Sequence, residues 1–237
     1  MRLSLVIPCY NEAKTLPLLA ERCAALLAVE PASEVILVDN GSSDDTPIVM
    51  ATLLEKTPGL RGLRVPYNQG YGHGILSGLA AATGDILGWT HADMQTDPLD
   101  ASRGMALFRQ SPEPQRLFCK GRRFGRPLWD TFFTAGMSAF DSLLLRCALN
   151  DINAQPNLFH RSFFESWSEA PPDFSLDLFA YYMAKRQNLH VQRFPVAFVA
   201  RAFGNSHWNV DWRSKMKFIR RTVEFSLKLR ATRRLRS

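Results

Sequence analysis

The sequence predicts an α/β fold: a mostly parallel sheet flanked by helices, with a basic helix at its C-terminal end. Across residues 3–98, short apolar runs alternate with stretches of helical periodicity, the signature of βαβ units. Each apolar run stops at a polar cluster, which is where open α/β sheets gather their ligand loops. The tail is set apart by charge. Residues 213–237 carry ten lysines and arginines against Glu224, or +9, and leave −2 on the remainder of a chain whose formal charge is +7.

Leu3 to Pro8 reads as the first strand and runs into the turn Pro8-Cys-Tyr-Asn-Glu12. Thr15 to Val29 places Leu16, Leu19, Ala20, Cys23, Leu26 and Leu27 at helical spacing. Glu34 to Val38 is a second strand, ending at Asp39-Asn-Gly-Ser-Ser-Asp-Asp-Thr46. A helix then runs from Pro47 to Lys56, its proline suited to the first turn and Thr46 or Asp45 to the N-cap. Leu60 to Val65, a glycine-rich Asn68 to Gly74, a helix over Ile75 to Ala82 and a strand over Asp85 to Thr90 complete the regular half. Beyond it, Arg116 to Arg123 reads as a strand entering the basic turn Lys120-Gly-Arg-Arg123. Helices over Phe132 to Leu149 and Asp173 to Arg186, and a long strand over Leu189 to Arg201, complete the domain.

A hydrophobic content of 46% supplies a full core, and 22% charged residues argue against disorder. Cys9, Cys23, Cys119 and Cys147 form no CxxC pair, so they read as small buried hydrophobes in a reducing compartment. No secretory leader is recognisable, and the longest apolar stretch, Phe133 to Leu149, is interrupted by Asp141 and Arg146. A soluble or peripheral protein is expected.

The chemistry concentrates between Gly88 and Pro98. His91, Asp93 and Gln95 alternate, so an extended segment presents all three on one face. A carboxylate, an imidazole and an amide oxygen suit Mg²⁺ or Mn²⁺ better than zinc. The competing reading is a polar turn in which Asp93 or Asp97 caps the next helix. Asp39 sits where it can accept hydrogen bonds from a base or ribose, with Gly41 allowing close backbone approach. An Asx turn with an N-cap has the same composition. Asn68-Gln-Gly-Tyr-Gly-His-Gly74 is no dinucleotide fingerprint, because Ile75 and Ser77 stand where GxGxxG needs glycine. Close packing on a neighbouring ligand or strand also explains its glycines.

Taken together, these clusters resemble family 2 glycosyltransferases of the GT-A fold. Pro8-Cys-Tyr-Asn-Glu12 is similar to the family's P-x-Y-N-E, Asp39-Asn-Gly-Ser42 to its D-D-G-S, and Asn68-Gln-Gly70 with Gly72 to its N-x-G segment. Gly84-Asp85, the following strand, Ala92-Asp93 and Gln95-x-x-Pro98 resemble its D-A-D-x-Q-x-x-P block. Looser likenesses point to the polyprenyl-phosphate (dolichol-phosphate mannose synthase-like) branch. Gly121-Arg122-Arg123 resembles its G-S-R, residues 151–161 its D-x-x-x-G-F-R-x-F-R, and Arg201-Ala-Phe-Gly-Asn-Ser206 its R-x-x-G-x-S. His91 stands in place of the family's first metal-site aspartate, Asn40 in place of the second aspartate of D-D-G-S, and His207 where a lysine is common.

The resemblance implies an inverting enzyme that moves a sugar from a UDP- or GDP-hexose to a polyprenyl phosphate or lipid-linked glycan, in cell-envelope glycan synthesis. Residues 1–212 would form the GT-A domain, with a nucleotide-sugar half (1–98) and an acceptor half (99–212), followed by the helix 213–237. It assigns donor binding to Pro8, Tyr10, Asn11, Glu12, Asp39, Asn40, Gly41, Ser42, Asn68, Gly70, Gly72, Ala92 and Asp93. Metal binding falls to His91, Asp93 and Gln95, and acceptor or phosphate binding to Arg122, Arg123, Gln155, Arg201 and Ser206. Asp93, Asp151 and Arg201 are the catalytic candidates; Asp151, with Asp177 behind it, would be the base if the acceptor were a sugar hydroxyl. A phosphate acceptor is already anionic and needs no strong base. A sugar–sugar transferase of surface-polysaccharide assembly and a catalytically weak sugar-nucleotide-binding protein are the alternatives, with a nucleic-acid-binding module using the basic tail as the non-enzyme one.

Met216, Ile219, Val223 and Leu227 recur at helical spacing among the basic residues of the tail. Such a helix suits an anionic membrane surface at the inner face of the cytoplasmic membrane, or a domain surface with its charges solvated. Nucleic acid is not an expected partner, because the basicity is confined to one end and the core holds no recognition motif. The sequence leaves the oligomeric state open.

Overall fold

The computed structural model describes residues 1–125, 128–201 and 212–234. Among the described residues are seven strands: β1 (Leu3–Cys9), β2 (Glu34–Asn40), β3 (Leu60–Val65), β4 (Ile86–Trp89), β5 (Leu117–Phe124), β6 (Asn157–His160) and β7 (His190–Ala197). The described α-helices that pack around them are α1 (Leu16–Val29), α2 (Thr46–Lys56), α3 (Tyr71–Ala81), α4 (Ala101–Gln110), α5 (Leu128–Leu145), α6 (Arg161–Glu165), α7 (Leu176–Arg186) and α8 (Trp212–Arg234).

The strands form one sheet in the order β3-β2-β1-β4-β6-β5-β7. β1 to β4 pair in parallel, with Leu5 opposite both Val35 and Gly88. β6 runs antiparallel to β4 and β5, and β5 pairs in parallel with β7. Six strands therefore point one way, as the alternation of strands and helices predicts. Every residue of β2 is buried, which is why it reads as a continuous apolar run and not as an alternating one. Leu5, Ile7, Cys23, Leu37 and Phe108 form the core on one side of the sheet, while Val6, Ile36, Val38, Ile75 and Trp89 form it on the other. Cys9, Cys23 and Cys119 are free and buried, in line with their reading as core hydrophobes, and Cys147 is half-buried.

At the N-terminal end of the parallel strands, buried Glu34 accepts from Ser4 Oγ (2.6 Å), Thr83 N (2.7 Å) and Thr83 Oγ1 (2.6 Å), and pairs with Arg61. Burial alone would raise its pKa, but these donors outweigh burial and hold it at about 2. The opposite end is left to the loops.

Three elements were not expected from the sequence: α4, the short reversed strand β6, and the one-turn helix α6 that follows it. The strand expected over Leu189–Arg201 ends at Ala197, and α3 starts at Tyr71, one residue after Gly70 and four before the expected Ile75. α8 docks on α5 and the core through Phe225, Leu229 and a hydrogen bond from Ser226 Oγ to Asp141 Oδ1 (2.8 Å). The stripe singled out from the sequence lies elsewhere on the helix: Met216 and Leu227 are exposed and Val223 is half-buried, while the side chain of Ile219 is outside the described set. Among the described residues no helix is long and apolar enough to cross a membrane.

Candidate active site

The loops that follow β1, β2 and β3 lock together at the C-terminal edge of the sheet. Asn11 N donates to Ser42 Oγ (3.0 Å), Ser43 N to Asn11 Oδ1 (2.9 Å), and Glu12 N to Thr46 Oγ1 (2.8 Å). Gly41 is required here: its φ is +72°, and a Cβ would stand 2.4 Å from Asn68 N. Asn68 closes its own turn by accepting from Gly70 N (2.8 Å). Pro8 is half-buried, and Tyr10 is exposed beside the rim.

Asp39 is buried, with Oδ1 accepting from Ser42 N (2.9 Å). Its Oδ2 lies 3.3 Å from Arg64 Nε but has no hydrogen-bond donor among the described residues. A buried acceptor without a donor is costly, so this oxygen is suited to a donor brought by a ligand. The departure from D-D-G-S at Asn40 has a local reason. Its Nδ2 donates to Gly70 O (2.9 Å), a bond that a carboxylate has no proton to make.

After β4 the chain presents Asp93, almost fully buried. One oxygen accepts from Gln95 N (3.1 Å), and the other is paired with Arg201 (2.9 Å). Asp97 takes the capping role, accepting from Leu99 N (2.9 Å) and from Arg22 Nε (2.9 Å). The capping alternative thus describes Asp97, while Asp93 faces the site. Gln95 ties its loop to the chain beyond β7: its carbonyl accepts from Val199 N (3.0 Å), and its side-chain amide donates to Val199 O (3.4 Å). The His91 ring stacks on Tyr71, 5.2 Å between centroids and 18° between planes. Burial pushes the Glu12 carboxyl up; Asp93 and Asp44 add to this, against a Thr15 hydrogen bond and Arg201.

Among the described residues no three His, Cys, Asp or Glu side chains converge into a cage. A Mg²⁺-type ion that binds with substrate phosphates needs only one or two protein carboxylates, which Asp93 supplies. The residues fit an ion shared with a diphosphate.

At the end of β5, Arg123 grips Asp151 with two nitrogens, Nε at 3.0 Å, and lies 5.1 Å from the Phe198 ring. Arg193 adds a second guanidinium 3.8 Å from Asp151. Arg122, pointing to the other face of β5, is exposed. Gln155 is buried and donates to Asp177 Oδ1 (2.7 Å) and Tyr71 Oη (3.4 Å). Asp177 is also buried, and its Oδ1 accepts from Trp89 Nε1 (3.2 Å) and Asn157 Nδ2 (3.0 Å) as well. Ser206 lies outside the described residues.

Sequence reasoning missed a strap over Pro171–Phe174. Gly72 lies directly beneath it, where a Cβ would stand 2.6 Å from Pro171 O and 2.7 Å from Asp173 O. His73 N donates to Pro172 O (2.8 Å), and Phe174 stacks on Tyr71 at 4.6 Å. The spaced glycines therefore seat a second protein segment. His91, Tyr71 and Phe174 make a ladder of three rings, and Arg221 of α8 reaches Asp173 at 3.5 Å. Spacing alone offered no signal for Phe174, about a hundred residues beyond Tyr71, on which it stacks.

A sequence model described as glycosyl transferase family 2 matches residues 4–149. An undecaprenyl-phosphate 4-deoxy-4-formamido-L-arabinose transferase from Sodalis glossinidius is 39% identical over 105 residues, 43% of this chain and 32% of that protein. A protein of the same name from Enterobacter sp. strain 638 is 36% identical over 108 residues, 44% of this chain and 33% of its own. The match thus spans about a third of the length of these curated relatives. Glucosyl-3-phosphoglycerate synthase from Mycobacterium tuberculosis, solved with Mn²⁺, UDP and glucosyl-3-phosphoglycerate, superposes with a TM-score of 0.73 at 21% identity. That superposition covers 97% of this chain and 79% of the synthase. At that identity the likeness establishes a shared fold.

Proposed function

The chain belongs to glycosyl transferase family 2, and from that premise we propose that it is an inverting transferase moving a hexose from a UDP- or GDP-hexose to a polyprenyl phosphate. The observation that carries the choice of acceptor is the state of its acceptor-side carboxylates. Asp151 is neutralised by Arg123 and Arg193, and Asp177 Oδ1 already accepts three hydrogen bonds. Neither is poised to take a proton from a sugar hydroxyl. A phosphate oxygen arrives ionised and attacks the anomeric carbon without a base. The new bond forms as the bond to the nucleoside diphosphate breaks, and no proton moves. The names of the curated relatives support the same acceptor class.

On this reading Asp39 receives a donor from the base or ribose through Oδ2, which faces Arg64 but accepts no hydrogen bond among the described residues, and Gly41 and Asn68 shape the floor. Mg²⁺ or Mn²⁺ at Asp93 would neutralise charge on the leaving diphosphate. Arg201, already on Asp93, lies where it can contact the diphosphate, and exposed Arg122 offers a two-pronged donor to the acceptor phosphate. The exposed Met216 and Leu227 among the tail's basic residues suit attachment to an anionic membrane surface, where such an acceptor resides. Both features support a location at the inner face of the cytoplasmic membrane.

The test is transfer of labelled sugar from UDP- and GDP-hexoses with Mn²⁺ present, offering undecaprenyl phosphate or free oligosaccharides. Label entering the organic phase only with the lipid phosphate is the expected result. Label entering the oligosaccharides alone would overturn the acceptor assignment.

A further inference from the structure

Lys120 lies in β5, directly before the Gly121-Arg122-Arg123 segment, and its side chain is fully buried. An ammonium in the interior is costly unless it is paired and hydrogen-bonded. Here Nζ donates to Ala154 O (2.7 Å) and to Asn157 Oδ1 (2.6 Å). An ammonium has no acceptor, so it fixes which end of the Asn157 amide faces it. The other end, Nδ2, then points to Gln155 Oε1 (2.9 Å) and Asp177 Oδ1 (3.0 Å). With its Oε1 taken, Gln155 turns its own Nε2 to Asp177 Oδ1 (2.7 Å) and Tyr71 Oη (3.4 Å). A one-directional chain of donors thus runs from Lys120 to the base of the ring ladder that carries His91. Asn157 also occupies the arginine position of the D-x-x-x-G-F-R-x-F-R pattern, so the positive charge comes from the neighbouring strand.

The charged groups around the ammonium come from every element packed on it. Asp177 belongs to α7, Arg193 to β7, Asp151 to the turn before β6, and Arg123 to β5 itself; the Tyr181 ring of α7 lies 5.7 Å away. Burial pushes the Lys120 pKa down, the two carboxylates hold it up and the two guanidiniums oppose them, leaving it at about 7.

We propose that Lys120 is a positioning residue for the acceptor half, and that its protonated ammonium sets the direction of the Asn157–Gln155–Asp177 chain on which the site's geometry depends. The proposal rests on the transferase reading, but its structural half is testable without turnover. In the wild-type protein the side-chain amide signals of Asn157 and Gln155, followed by ¹⁵N NMR from pH 5.5 to 9, will shift together with a midpoint near 7, matching the Cε signal of Lys120. Lys120→Met abolishes that transition. Lipid transfer by the wild type falls as pH rises through the same midpoint. Transfer by Lys120→Met is about tenfold or more slower in kcat, with donor KM little changed and that limb of the profile lost.

Amide signals that stay still while Lys120 titrates would overturn the proposal, and so would wild-type kcat and pH profile in Lys120→Met. Should that variant not fold, the wild-type titration decides. Amides that titrate as described while no donor–acceptor pair yields product would support the Lys120 assignment and count against the transferase reading.

Discussion

At the scale of single residues, departures from the family pattern carry the most information. Asn40 has to donate, because the carbonyl of Gly70 faces it at 2.9 Å. Restoring the usual aspartate sets a carboxylate against that carbonyl in a buried position. Asn40→Asp is therefore expected to lower stability by about 2 kcal/mol, read from denaturant midpoints with unchanged slope. Equal stability would mean that the loop repacks. Asp93 and Asp39 stood out in the sequence because strand ends mark them, although a turn or a helix cap has the same composition, and both do close local turns. Tyr71 and Phe174 did not stand out, since a stacked pair a hundred positions apart leaves no local pattern. Arg123 was legible as a charge but not as a partner, and only the fold shows it committed to Asp151.

Among the elements, α1 follows from periodicity and β1 and β2 from continuous apolar runs, because they are buried in the core, while Pro47 marks the start of α2 without a side-chain cap bond. β6 has four residues and α6 five, too short for any period to declare itself. α4 has clear amphipathicity through Ala101, Met105 and Phe108, yet it follows the polar loop that drew attention to itself. Two tests belong at this scale. Gly72→Ala places a methyl against two strap carbonyls and should cost about 1–3 kcal/mol while loosening the Tyr71–Phe174 stack, seen as ring-current shifts. In the α5–α8 contact, burial raises the Asp141 pKa from 3.8 to about 6, against the Ser226 hydrogen bond. The folded protein then binds more protons than the unfolded chain between those values. Stability falls as pH climbs from about 4 to 6, and the full penalty remains above 6. Asp141→Asn should remove that slope and add roughly 1–2 kcal/mol at pH 7.5, measured by thermal unfolding across pH.

At the scale of the whole molecule, the basic helix α8 meets the rest of the fold at α5 and at the Asp173 strap. α8 keeps one face on the domain and leaves Met216 and Leu227 outward, beside a charge of +9. Met216→Ser with Leu227→Ser spares the docked face, so binding to vesicles containing phosphatidylglycerol should weaken about tenfold while nucleotide affinity holds. Unchanged sedimentation with vesicles would remove the membrane role of this helix. The central claim is that the Asp93 loop binds the diphosphate of a nucleotide sugar through a divalent ion. Calorimetric titration of UDP- and GDP-hexoses into the wild type and Asp93→Asn, with and without Mn²⁺, tests it most directly. One donor should bind the wild type about tenfold or more tightly with Mn²⁺, and Asp93→Asn should lose that gain while remaining folded. Metal-dependent binding that survives in Asp93→Asn would contradict the account.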